Sequence, residues 1–151
     1  AGVSEWLSMM KPGVVGGDVH AMIARKLPFE TFGIFLNPGH LIHHDEWLSS
    51  PIGEGSTDEL ASGMYVQIDI IPSHPVYGSS RMEEGIVIAD SKLQADLRAR
   101  YPDVLARCLA RRDFMRNVMG FDVPDTVLPL SDSAGIVPPF FFAPHTLIAL
   151  S

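Results

Sequence analysis

Residues 63 to 72, GMYVQIDIIP, constrain the fold more than any other stretch of the chain. Met64, Val66, Ile68 and Ile70 fall on one side of an extended backbone, and Tyr65, Gln67, Asp69 and Ile71 on the other. Alternation sustained over this length predicts a strand with one face turned to a core. A second run, RMEEGIVIAD at 81 to 90, follows after the loop SHPVYGSS. The simplest closure lays it antiparallel beside the first. At 151 residues the chain suits one domain and can bury a sizeable core.

The other segments add helices. SEWLSMM at 4 to 10 predicts a short helix with Ser4 as its cap and Trp6, Leu7 and Met10 on one side. Asp18 is the expected cap of a second helix, DVHAMIARKL, in which Val19, Met22, Ile23 and Leu27 keep helical spacing. A long helix is expected from about Leu93 to Met119, divided at Pro102, with Asp103 capping its second segment. Its buried stripe is expected to be Val104, Leu105, Cys108, Leu109, Met115, Val118 and Met119, with the arginines facing water. The tail, with the short apolar runs VLPL and TLIAL, reads as an extended segment laid over the domain. Together these predict an α+β fold.

Composition excludes several classes of function. The chain is 46% apolar and 19% charged, with mean hydropathy +0.17, which describes a folded globular chain rather than a disordered one. No apolar run approaches the roughly 20 residues a membrane helix needs, so no membrane partner is expected. A formal net charge of −7 argues against nucleic acid. The distribution is uneven. Residues 1 to 90 carry four Lys/Arg and twelve Asp/Glu, and residues 98 to 116 carry six Arg against two Asp. The single Cys108 excludes an internal disulfide framework, and no basic-then-apolar run opens the sequence given. Both set the expectation of a reducing, cytoplasmic setting.

The chemistry-bearing residues are His40, Asp69 and Glu83. Each lies on or beside a predicted strand, and both acids take the polar parity of strands expected to be neighbours. Gln67 shares the face of Asp69, and Arg81 that of Glu83. Two carboxylates on adjacent strands with a histidine nearby suit a divalent cation that takes oxygen and imidazole ligands. The other reading of the same residues is a solvent-facing sheet surface with scattered acids. GHLIHHDEW at 39 to 47 has no H-E-x-x-H helix motif, and neither G-x-S-x-G nor a phosphate-cradling glycine loop occurs. Cys108 reads as core, His20 and His145 as surface, and His74 as part of a solvated loop.

The order of these features resembles the second half of the catalytic domain of the creatinase, aminopeptidase P and prolidase family, the pita-bread metallopeptidases. A KPG turn and helix precede NPGHLIHHDEW, then LASGMYVQIDIIP, then SSRMEEGIVIAD. The likeness spans roughly residues 5 to 95, and residues 93 to 151 look like an extension. It implies a mostly antiparallel curved sheet with helices packed on one face, half of a pita-bread fold. It implies that Gly39-His40 supplies one metal ligand, that Leu60, Gly63 and Met64 lead to a second at Asp69, and that Arg81-Met82-Glu83-Glu84 supplies a bridging third at Glu83.

By the same resemblance Arg81 and His43 are substrate-binding, with Arg81 also orienting the Glu83 carboxylate, and His44 is the catalytic candidate. The cofactor is a divalent metal (Mn, Zn or Co) that activates a hydroxide, and the substrate a peptide cut at an Xaa-Pro bond. Departures are plain. Two aspartate ligands of the family lie upstream of anything matched here. The family's second histidine falls on Trp47 in ungapped register, so His43 or His44 takes that role only with a shift. The expected Glu-Pro-Gly is Asp69-Ile70-Ile71, and Asp reaches roughly 1.5 Å less far, about one C–C bond.

Two expectations follow. The chain is expected to be the second half of a longer enzyme that alone binds metal weakly or not at all, or a catalytically silent binding or assembly module of the same fold. Creatinase-type C–N hydrolysis is a third option within the family. A half-fold would expose a strand edge, so a homodimer or another partner covering that edge is expected.

Overall fold

The structure, a computed structural model, describes residues 2–45 and 50–131 together with 143 and 146. The expectations for Trp47, His145 and, apart from Thr146, the run TLIAL lie outside the described residues.

Helix α1 (Gly2–Ser8) and helix α2 (Gly16–Lys26) are followed by the single turn α3 (Phe29–Phe32) and strand β1 (Gly39–Leu41). The alternating run forms β2 (Tyr65–Ile70). The loop after it carries a two-residue ladder, β3 (Ser73–His74) with β4 (Gly78–Ser79), before β5 (Met82–Ile88). Helices α4 (Ser91–Arg100) and α5 (Pro102–Asn117) and strand β6 (Val127–Pro129) complete the described chain. The larger sheet runs in the order β1-β2-β5-β6, every pair antiparallel. This is the expected α+β architecture, with VLPL supplying its last strand.

The parity prediction for β2 holds. Val66, Ile68 and Ile70 are buried, and Ile86 and Ile88 of β5 join them. Against this face α1 places Trp6 and Leu7, α2 places Val19, Met22 and Ile23, and the intervening loops add Met10, Ile52 and Leu60. Fully burying one such aliphatic side chain stabilises by about 1.5–3 kcal/mol, so this continuous cluster is the main source of stability. Helix α5 packs on β6 and serves two cores. Met115 enters the main one, while Leu105 and Cys108 surround Leu128 in a smaller one.

Three cap expectations are corrected, the first two alongside contacts made far along the chain. α1 begins at Gly2, and Ser4 sits inside it, where its Oγ accepts from the Asp122 backbone N–H at 3.0 Å. α2 begins at Gly16, two residues before Asp18, because the Gly16 N–H is already held by the Asp58 carbonyl at 2.8 Å. Asp18 then lies in the first turn, where a carboxylate still complements the helix dipole. α5 starts with Pro102 at its first position and Tyr101 as cap, a place that suits proline because the missing N–H has no helical partner there. Asp103 lies within the first turn. The α5 stripe also differs from expectation, since Val104 and Val118 are exposed and Arg112 is buried.

Asp90 caps α4. Its Oδ1 accepts from the Leu93 N–H at 2.8 Å, and its own N–H donates to Ser62 Oγ at 3.0 Å. The Leu93 bond is the chief cause holding the Asp90 carboxyl below its ordinary value of 3.8. A group whose value drops on folding stabilises fully above its unfolded value and stops doing so as pH falls through the folded one. Asp90→Ala is therefore expected to lower the urea midpoint at neutral pH, and the gap from the parent is expected to close as pH falls below 3.8. Paired urea titrations across acid pH check this.

Candidate functional site

Gly39 fixes where the histidine points. A Cβ at Gly39 would lie 2.9 Å from Trp6 Cζ2, 3.0 Å from the Gln67 carbonyl oxygen and 3.1 Å from Ile52 Cδ1. Only glycine lets β1 settle on the indole at that distance. Ser50 fastens the same strand from behind, its Oγ donating to the Gly39 carbonyl at 2.6 Å. With Gly39 turned to the core, His40 is turned to the opposite face, paired in register with Gln67.

Asp69 stands on that face two residues along β2, in register with Glu83 of β5. His40 is 5% exposed and Asp69 is 3% exposed. His40 Nε2 lies 4.0 Å from Asp69 Oδ2. The other ring nitrogen, Nδ1, is 3.0 Å from the Leu41 carbonyl. A carbonyl can only accept, so Nδ1 donates in this contact, and Nε2 is the atom turned toward Asp69. This is the arrangement in which a histidine can serve as a ligand through Nε2. Two groups bound at about 2.1 Å to one ion stand about 3.0–3.4 Å apart, so the observed pair at 4.0 Å is open by about 0.6–1.0 Å.

Glu83 is less committed. Its side chain is 40% exposed. Its Oε2 accepts from Gln67 Nε2 at 3.4 Å, and its Oε1 lies 4.0 Å from Arg81 Nη1. Arg81 is itself largely exposed, so this pair orients Glu83 weakly. The structure thus gathers His40 with Asp69, and Glu83 with Gln67 and Arg81, as neighbours on one face. Among the described residues, no three His, Cys, Asp or Glu side chains are grouped closely enough to hold one ion.

His43 and His44 are placed elsewhere. Both are exposed in the bend that follows β1. His43 Nδ1 accepts from the Asp45 N–H at 3.2 Å and shapes that turn. Ile42 N–H pairs with the Tyr65 carbonyl, so this bend lies beside the start of β2, whereas Asp69 is near its end. Neither histidine is brought to the His40–Asp69 pair. His20 is half-buried and lines a recess that also includes Glu54, rather than decorating open surface.

Tyr65 and Gly85 also meet on this face. A Cβ at Gly85 would meet the Tyr65 ring at 2.6 Å, so the ring lies across the notch that glycine leaves. Tyr65 shares the parity of Gln67 and Asp69, and Gly85 that of Glu83, which already put the two on one face. Ser50 carried no comparable signal, because a serine in a loop dense in Ser, Gly and Pro is unremarkable. Comparison with known protein families returns no matching family model, and no curated protein matches the chain. No helix among the described residues is long and apolar enough to cross a membrane.

Proposed function

We propose that the face carrying His40, Asp69 and Glu83 belongs to a metal-dependent hydrolase that cleaves an amide-type C–N bond, of the Xaa-Pro peptidase kind. One observation carries the reading: a buried imidazole and a buried carboxylate face each other at 4.0 Å, with a second carboxylate in register on the next strand. The donor set of one imidazole nitrogen and carboxylate oxygens suits Mn, Zn or Co. His40 Nε2 and Asp69 would hold the ion, and Glu83 would join by turning from the rim. A metal in such a site supplies a hydroxide nucleophile at neutral pH. The residues around it have their own tasks. Leu41 fixes the histidine tautomer, Gln67 holds the Glu83 carboxylate, and burial excludes water from the pair.

A cytoplasmic setting belongs to the same reading, supported by a single, buried Cys108. So does a partner over the β1 edge, since β1 is paired only with β2 among the described residues. Calorimetric titration with Mn or Zn tests the core of the proposal. The expected result is saturable binding that weakens at least about tenfold in His40→Ala and in Asp69→Asn, in line with loss of a ligand, and less in Glu83→Gln. The outward turn of Glu83 toward Gln67 and Arg81 favours a second reading, a catalytically silent module that keeps the fold for binding. Absence of any saturable heat in the parent protein would leave that second reading standing and the first without support.

A further inference from the structure

A cleft of about 600 Å³ opens between α3 and the β3–β4 hairpin. Clefts of roughly 300–1,000 Å³ are the usual size for small ligands. This one begins at Pro72 and Ser80, where the Ser80 N–H bonds the Pro72 carbonyl at 3.2 Å beyond the ends of β2 and β5. Those residues are three positions from Asp69 and Glu83, about 10 Å along the strands at about 3.3 Å per residue. The cleft is therefore separate from the His40–Asp69 pair.

Its walls have one chemical character. Phe32, His74 and Tyr77 contribute rings and Ser73 and Ser79 contribute hydroxyls; among the described residues Glu30 is the one formally charged group of the lining, and no Lys or Arg lines it. The His74 ring is held by the backbone of its own loop. Its Nδ1 accepts from the backbone N–H groups of Val76 and Tyr77, at 3.1 and 3.3 Å. A ring nitrogen that accepts carries no hydrogen, so the hydrogen is on Nε2. The same two bonds fix the ring's orientation. It stacks on Tyr77 with centroids 4.7 Å apart and planes inclined by 28°. Tyr77 is 87% exposed, so the stack is open to solvent on its outer side.

Aromatic faces carry negative potential and attract cations. An acid beside them adds to that attraction. The surrounding chain reinforces it, because residues 1 to 90 carry four Lys/Arg against twelve Asp/Glu and so favour approach of a cation. An anion would meet one carboxylate and, among the described residues, no basic side chain on the cleft wall.

We propose that this cleft binds a small organic ammonium ion, of the trimethylammonium or protonated-amine class. The cation rests against the Tyr77, His74 and Phe32 rings, with Glu30 as counter-ion and the serine hydroxyls accepting any N–H the ligand offers. The assignment does not depend on the hydrolase reading, so the test uses the full chain with no metal added.

Amide NMR titrations with choline and with its neutral isostere, in which a tert-butyl group replaces trimethylammonium, separate charge from shape. The expected result is saturable millimolar binding of choline, with shifts centred on residues 73 to 80 and affinity at least about fivefold above the isostere. Glu30→Gln and Tyr77→Ala, both at exposed positions, are each expected to weaken choline binding by about two- to fivefold, the measure of one exposed cation–π or ion-pair contact. Equal binding of the two probes would overturn the proposal and mark the cleft as merely apolar. So would shifts mapping outside the cleft, or no saturation by about 50 mM.

Discussion

Trp6→Ala is expected to lower the free energy of unfolding by about 3–5 kcal/mol, the usual cost of truncating a fully buried aromatic, read from the urea midpoint at constant slope. Trp6 has no solvent exposure and, among the described residues, heads the fully buried side chains by volume. It stands among Ile52, Leu60, Val66 and Ile68, in the cluster that joins α1 to the sheet. The cavity left by an alanine would lie directly beneath Gly39, whose backbone rests on the indole. β1 would then lose its seat, so His40 would lose its fixed position as well as the protein its stability. Trp6→Phe separates the two contributions. The indole Nε1 has no hydrogen-bond partner among the described residues, and a buried donor left unpaired costs about 1–3 kcal/mol. Phenylalanine removes that cost while keeping much of the volume, so its net effect is expected to stay under about 2 kcal/mol. An alanine variant within about 1 kcal/mol of the parent would show that the indole is not the keystone of this core.

The same contact explains how much of the site was legible. Two-residue alternation from Met64 to Ile70 specified β2 and its inward face, because one face is fully buried and a shift of one residue would turn every side chain over. It also put Asp69 on the face opposite the core. It did not say that this second face is covered, and the burial of His40 and Asp69 could not be read from parity. Burial there depends on what packs above the sheet, a non-local matter. That Asp69 and Glu83 sit on neighbouring strands was legible, but their direct pairing depends on the β3–β4 ladder inside the connection, which the sequence did not announce. The direction of the Glu83 carboxylate, toward Gln67 and Arg81 rather than toward His40, is a rotamer choice that no spacing encodes. The helix starts failed for a related reason. Ser4 and Asp18 are ordinary capping residues, but partners at Asp122 and Asp58 had already determined where each helix begins.

Arg112 is the residue on which type and period gave opposite answers, and its replacement should cost nearly as much as that of Trp6. Leu105, Cys108, Arg112, Met115 and Met119 are the buried line of α5 and the turn after it. Their spacing of three, four, three and four is that of one continuous helical stripe. Periodicity placed position 112 inside, whereas residue type argued for water, and the structure follows periodicity. The guanidinium is accommodated because it donates through Nη1 to the carbonyls of Asp125 and Val127, at the entrance to β6. Its Nη2 lies 3.8 Å from the Asp125 carboxylate. Burial, with Arg116 nearby, pulls its proton affinity down, and Asp125 and Asp113 push it back up.

Arg112→Ala removes the bonds to two carbonyls and leaves a gap in the stripe, so a loss of about 2–4 kcal/mol is expected by urea denaturation. Arg112→Met keeps the volume and lifts the cost of burying a charge, so about 1 kcal/mol or less is expected. The damage should also be local. β6 covers β5 at Ile86, Val87 and Ile88, so amide exchange in those strands is expected to rise in the alanine variant before global unfolding does. If methionine proves as harmful as alanine, the carbonyl bonds rather than the filled stripe hold β6 in place. If neither variant departs from the parent, the buried guanidinium is a tolerated passenger on a stripe that its apolar neighbours secure without it.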